Sequence, residues 1–145
     1  MPAMKLRRDV DLASLNARGS GRLPHWFGLQ VVRLDERELA MQLQIQPQML
    51  APNGFLHAAT VIALADTACG FATIAHLPEG AENFTTIELK CNFLGTATVG
   101  LLEAVATGAH LGRTTQVWDA AVRHVDSGKT LALFRCTQMV LWPKR

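Results

Sequence analysis

A chain of 145 residues, 49% of them apolar, is long enough for one domain with a substantial core and too apolar for disorder. A net charge of +2, from 14 basic against 12 acidic side chains, gives no polyelectrolyte surface and argues against a nucleic-acid partner. Cys69, Cys91 and Cys136 are widely spaced in apolar stretches, which suits buried free thiols in a reducing compartment and neither a disulfide framework nor a zinc ribbon. The N-terminal stretch carries charges where a signal peptide needs its apolar core, so a cytoplasmic protein is expected.

Residues 1 to 22 read as a weak amphipathic helix with Leu6, Val10, Leu12 and Leu15 on one face, followed by Gly19-Ser20-Gly21. Leu23 to Phe27 reads as a short apolar plug rather than a regular element. From Gly28 the period becomes two. Leu29 to Leu34 is a strand, Asp35-Glu36-Arg37-Glu38 a polar turn, and Leu39, Met41, Leu43 and Ile45 line one face of the returning strand, which Pro47 ends. Pro52-Asn53-Gly54 is a turn signal ahead of a helical run from about Ala58 to Ala75, and Leu77-Pro78-Glu79-Gly80 stops that run.

Four strands follow. In the first, Ile87, Leu89, Cys91 and Phe93 share one face, and Thr86, Glu88, Lys90 and Asn92 the other. Leu101 to Ala109, Thr114 to Val125 and Thr130 to Leu141 are the rest, joined by the tight turn His110-Leu111-Gly112 and the hairpin signal Asp126-Ser127-Gly128-Lys129. Short turns imply antiparallel neighbours, and one long apolar helix needs covering. The expected fold is α+β, a curved antiparallel sheet wrapped around a central helix, in one domain over 1–145 with a helical extension at 1–22 and a core at 28–142.

In the central run Asp66 is the sole charged residue, among Val61, Ile62, Leu64, Ala65, Ala68, Cys69, Phe71, Ala72 and Ile74. A helix apolar all round is buried or spans a membrane. Richness in Ala and Thr, together with Gly70, the central Asp66 and the lack of aromatic and basic flanks, favours a buried helix and no membrane partner. A carboxylate in such a helix is costly unless something satisfies or uses it.

Gly54 to Gly70 reads G-x-x-H-A-A-x-x-x-x-L-A-D-x-x-x-G. It resembles the motif of the hotdog-fold acyl-CoA thioesterases of the phenylacetate-degradation type, in which H-G-G precedes a leucine or valine, a small residue and an acid. The strand from Thr86 to Phe93 and the Gly112-Arg113-Thr114 turn match that family's layout, and the resemblance covers about residues 28 to 142. It implies subunits paired edge to edge into a homodimer or homotetramer, with active sites at the interface and an acyl-CoA or aryl-CoA substrate. By the same resemblance Asp66 is the catalytic acid, His57 the motif histidine, Ala58 the first motif glycine, and Thr86 a hydroxyl facing the site from the partner subunit. Arg113 lies in the turn that touches the nucleotide half of coenzyme A. Two departures stand out: H-A-A replaces H-G-G, and Ala51 occupies a place where relatives carry Asn or Gln, with Asn53 and Gln48 nearby.

Thioester hydrolysis needs a polarised carbonyl, an activated nucleophile and a hold on a long substrate. The free N–H groups and positive end of the central helix suit the first, with the Ala58 amide as candidate. Asp66 suits the second, as general base on water or as nucleophile forming an anhydride, or else it is a hydrogen-bonded structural carboxylate. Thr86 could position the water or the carboxylate. His57 either caps the helix or contacts the thioester. Asn53, Gly54, Lys90 and Arg113 are candidates for substrate and coenzyme A contacts, and Lys129 a weaker one. Phe55, Leu56, Phe71 and Trp26 could line an acyl tunnel or simply be core. His76, His110 and His124 lie in separate elements, so no metal is expected, and G-x-S-x-G, G-x-G-x-x-G and P-loop patterns are missing, so no cofactor is expected either. Two other readings remain: a non-catalytic acyl-CoA sensor on the same fold, suggested by Ala58 and Ala51, and a hotdog hydratase or dehydratase.

Overall fold

The structure is a computed structural model that describes residues 5–145. Two short helices, α1 (Leu12–Arg18) and α2 (Leu23–Trp26), lead into the hairpin β1 (Gln30–Asp35) and β2 (Glu38–Gln44). A 3-10 turn (Pro47–Met49) and a loop precede the long helix α3 (Ala58–Ala75), and β3 (Asn83–Phe93), β4 (Leu101–Leu111), β5 (Thr115–His124) and β6 (Thr130–Leu141) complete the chain. All neighbours pair antiparallel, in the order β1-β2-β4-β5-β6-β3. The expected sheet wrapped around one helix is therefore the observed fold.

Period-two alternation builds the concave face. Leu39, Met41 and Leu43 from β2 and Leu102, Ala104 and Ala106 from β4 are fully or almost fully buried, as are Trp118 and Val122 from β5 and Ala132 and Cys136 from β6. Leu64, Ala65, Ala68, Cys69 and Ala72 of α3 join them in one core. Alanines on both the sheet and the helix let the two layers approach closely. α3 has the length and hydropathy of a membrane span, but most of it is enclosed by this sheet.

The two sheet edges differ. On β1 the side-chain amide of Asn16 donates to the Val31 carbonyl (3.1 Å) and accepts from the Val31 N–H (2.8 Å), copying a strand partner. Among the described residues β3 has β6 on one side and no strand on the other, and its Ile87, Leu89 and Phe93 are 53, 41 and 47% exposed.

The far end of α3 is pinned by a buried imidazole. His76 caps the helix, its Nδ1–H donating to the Ala72 carbonyl (2.7 Å) and its Nε2 accepting the Arg37 N–H (2.8 Å). That N–H belongs to a left-handed residue, φ +62°, in the β1–β2 turn. Gln116 donates to the His76 carbonyl (2.9 Å) and accepts from the Trp118 indole (2.9 Å). Burial pushes the His76 pKa below its usual value, with the Arg37 charge acting in the same direction, and a second ring proton would displace the Arg37 N–H from Nε2. The neutral ring thus supports the fold above the unfolded-state pKa of about 6.5, and that support is lost as pH falls towards and through the lower folded value. His76→Phe, which strands the Arg37 N–H, should destabilise by about 1–3 kcal/mol at pH 8, read by urea denaturation. The gap between variant and wild type should narrow on acidification; a constant gap from pH 8 to 5 would mean that the ring acts by packing alone.

Several local expectations need correction. Of residues 1–22 only Leu12–Arg18 is helical among those described, and residues 1–4 lie outside the described part. Asp11 and Ser14 form a capping box that starts the helix late, and Leu12 ends 38% exposed while Leu15 is buried. The stretch from Leu23 is a helical turn that leaves Trp26 81% exposed, while Phe27 after it packs against the core. β4 runs on through the bulge at Gly108/His110 to Leu111, moving the turn to Gly112–Thr114. β3 departs most from the expected alternation. A bulge between Thr86 and Glu88 sets Thr86 opposite Gln138 and Leu89 opposite Cys136, both inward positions of β6. Thr86 therefore lies on the concave side with Leu89, Cys91 and Phe93, not with Lys90.

Candidate active site

The start of α3 is built by the loop before it. Leu50 and Leu56 bridge, Ala51 N–H donates to the Phe55 carbonyl (2.7 Å) and Gly54 N–H to the Ala51 carbonyl (2.8 Å), with Gly54 at φ +89°. The Asn53 side chain accepts the Phe55 N–H (3.2 Å). Asn53 and Gly54 thus have a visible turn-forming role. The Met49 carbonyl then takes both the His57 N–H (3.1 Å) and the Thr60 hydroxyl (2.8 Å), and the Thr96 hydroxyl accepts the Leu56 N–H (3.0 Å).

His57 is the N-cap, and its Nδ1 accepts the Ala59 N–H at 2.9 Å. That bond fixes the neutral tautomer with the proton on Nε2. Thr60 N–H donates to the His57 carbonyl (2.9 Å). Among the described residues the Ala58 N–H has no partner, and Ala58 is exposed. One free donor therefore sits at the positive end of an 18-residue helix.

Asp66 lies mid-helix with Oδ1 buried and, among the described residues, unpartnered, and burial raises its carboxyl pKa above the usual value. The ion pairs among the described residues use other carboxylates: Asp9, Asp35, Glu38 and Asp119. Asp66 stands eight residues beyond Ala58, about 12 Å along the axis at 1.5 Å per residue. One protomer does not bring the carboxylate and the free amide to one carbonyl group.

The concave side of β3 and β6 holds Thr86, whose hydroxyl donates to Gln138 Oε1 at 2.6 Å. Gln138 is fully buried, and its Nε2 has no partner among the described residues. Sequence reasoning missed Gln138 and Gln116, although both occupy inward places in otherwise apolar alternation on β6 and β5, and that pattern was a usable signal.

The remaining candidates lie elsewhere. Lys90 faces the convex side opposite Arg135, lining a groove of about 530 Å³ with Asn92, Thr107 and Leu133, with the sheet between it and α3. Arg113 sits in the β4–β5 turn at the end where α3 finishes, its guanidinium 4.2 Å above the Trp142 ring. Within a protomer it is not gathered with Ala58 and His57. Leu56 and Phe71 are core, whereas Phe55 is exposed and Trp26 closes a small pocket of about 60 Å³ with Phe27, Gln48 and Met49 beside the α3 entry loop.

Known proteins resemble this chain in sequence and in fold. Residues 53–131 match the family model described as the thioesterase superfamily. The 1,4-dihydroxy-2-naphthoyl-CoA hydrolase of Listeria monocytogenes is 28% identical over 79% of this chain and 92% of its own. The crystal structure of a mutant of thioesterase PA1618 from Pseudomonas aeruginosa superposes with a TM-score of 0.87 at 29% identity, covering 94% of this chain and 97% of that one. The PaaI protein of the Escherichia coli phenylacetic acid degradation operon shares the fold, with a TM-score of 0.78 at 23% identity over 90% and 96% of the two chains. The matched residues span more than half of the sequence and include the whole of α3 and the end of the loop that starts it, and the chain belongs to the thioesterase superfamily.

Proposed function

We propose that the protein hydrolyses acyl-CoA or aryl-CoA thioesters to the free acid and coenzyme A, in a site shared between two copies of the chain. The observation that carries this reading is Asp66, an acid without a partner for Oδ1 inside an apolar helix. Such a group costs stability and is retained where chemistry uses it. The ionised carboxylate takes a proton from the attacking water, or itself attacks the carbonyl carbon to give an anhydride that water opens. In either case the C–S bond breaks and coenzyme A leaves as the thiol after taking up a proton. Thr86, held by Gln138, orients the carboxylate or the water.

The carbonyl oxygen needs a donor, and the eight-residue spacing puts the Ala58 amide of the same copy out of reach. Pairing through β3, the sheet edge left open among the described residues, lays two α3 helices side by side in opposite directions. The Ala58 amide of one copy then approaches the Asp66 of the other. The apolar side chains exposed along β3 support that contact. His57 fixes the helix start and offers Nε2–H towards the thioester. A homodimer is the minimal active unit, and a homotetramer would hold two such pairs. The naphthoyl-CoA hydrolase among the relatives and the aromatic side chains of Phe55 and Trp26 near the α3 entry support an aromatic acyl group.

Free-thiol release from straight-chain acyl-CoA, benzoyl-CoA and naphthoyl-CoA thioesters tests the reading. Turnover is expected, with the aryl substrates preferred. Binding of these thioesters with no thiol released from any of them would replace it with a non-catalytic acyl-CoA binder.

A further inference from the structure

We propose that Trp142 is a positioning residue that holds Arg113 ready as a receptor for the nucleotide phosphates of coenzyme A; this rests on the substrate class proposed above. The guanidinium carbon of Arg113 lies 4.2 Å above the centre of the Trp142 ring, and the indole Nε1–H donates to the Arg113 carbonyl at 3.1 Å. One aromatic side chain therefore fixes both the backbone of the turn and the charged head. The ring is itself anchored: it packs on the small cluster of Leu77, Ala81 and Val140 and lies against Gly80, where a Cβ would stand 3.5 Å away.

Three other arginines are held by carboxylates instead of by an aromatic ring. Arg7, Arg33 and Arg135 are each neutralised by a carboxylate, from Asp9, from Asp35 and Glu38, and from Asp119. Among the described residues Arg113 has no carboxylate and its side-chain N–H groups make no hydrogen bonds, yet it is exposed. A guanidinium on an indole face keeps its edge of donors free and loses little freedom when an anion arrives. That edge suits a phosphate, which two parallel N–H groups can grip.

The place also fits. Val140 N–H donates to the Thr114 carbonyl (2.9 Å) and Gln116 to the His76 carbonyl (2.9 Å), so the Arg113 turn stands at the C-terminal end of α3. Asp66 lies ten residues before His76, about 15 Å along the axis. A thioester at Asp66 thus has its pantetheine arm to span that interval and its phosphates at Arg113 of the same copy.

Calorimetric binding of free coenzyme A tests this without turnover, so its outcome is separate from that of thiol release. Trp142→Leu should weaken coenzyme A about three- to tenfold, Arg113→Ala at least as much, and Trp142→Phe, which keeps an aromatic face, about twofold or less. The double variant Arg113→Ala/Trp142→Leu should bind as Arg113→Ala alone does, because Trp142 acts through Arg113. Pantetheine, which lacks the nucleotide, should bind all variants alike. Dephospho-coenzyme A assigns the contact: a retained Trp142 effect means the diphosphate, a vanished one the 3′-phosphate. Unchanged coenzyme A binding in Trp142→Leu, equal loss of pantetheine, or additive losses in the double variant would each overturn the proposal.

Discussion

Asp66→Asn should fold, melt higher than the parent protein at neutral pH, and hydrolyse thioesters about 10²- to 10⁴-fold more slowly. The activity loss follows from the role: an amide neither accepts the proton of water nor attacks a carbonyl. The stability gain follows from burial. The folded chain holds the Asp66 proton at pH values where the unfolded chain has released it, because its carboxyl pKa is raised by desolvation. The contribution of this group to stability is complete below the unfolded pKa of about 3.9 and is lost as pH rises through the folded value. At pH 7.5, well above the unfolded pKa, the wild type therefore bears the cost of burying a carboxyl group that the unfolded chain ionises freely, and Asn removes that cost. Each 1 kcal/mol gained should appear as a shift of roughly 2–4 °C in a domain of this size. Near pH 3.5 the two proteins should melt alike. The same raised pKa moves the acid limb of the kcat/KM profile upward, since only the carboxylate is competent. Hydrolysis by Asp66→Asn near the parent rate would remove Asp66 from the chemistry, and a lower melting point at pH 7.5 would make it a structural acid instead.

Sequence periodicity carried the architecture because the two dominant elements have undiluted patterns. α3 is apolar on nearly every face, so only a wrapped position suits it, and β2 alternates without a break from Leu39 to Ile45. What sequence could not carry was set by pairings distant in the chain. The alternation of β3 is as regular on paper as that of β2. The bulge opposite Thr137–Gln138 nevertheless shifts Thr86 to the other side, and only the register with β6 fixes where the extra residue falls. Trp26 was similarly opaque: an aromatic in an apolar run reads as core, whereas Pro24 in the first turn of α2 and the left-handed Gly28 leave its ring in solvent. Arg113 was legible as a cation in a turn, but its aromatic support comes from Trp142, 29 residues further on. The acid and the amide of the candidate site were named from the motif. That one copy cannot bring them together follows from helix geometry, and was already implicit in their spacing.

That spacing leads to a second large effect. Ala58→Pro deletes the proposed oxyanion donor while sparing the helix. Ala58 is the first residue of α3, where proline is favoured because the missing N–H has no intrahelical partner. His57 has φ −66° and ψ 135°, the extended conformation that a residue before proline needs. The variant should therefore keep its stability within about 0.5 kcal/mol yet lose about 10²- to 10³-fold in kcat. Mixing it with Asp66→Asn after reversible unfolding makes the case for a shared site. In a mixed pair, one site combines both lesions and the other combines the intact Asp66 of one copy with the intact Ala58 amide of the other. Random pairing makes about half of the dimers mixed, each with one sound site, so about a quarter of the parent activity should return from two nearly inactive proteins. If acid and amide instead served the same copy, every site in the mixture would carry a lesion and no activity would return, and the shared-site mechanism would have to be abandoned.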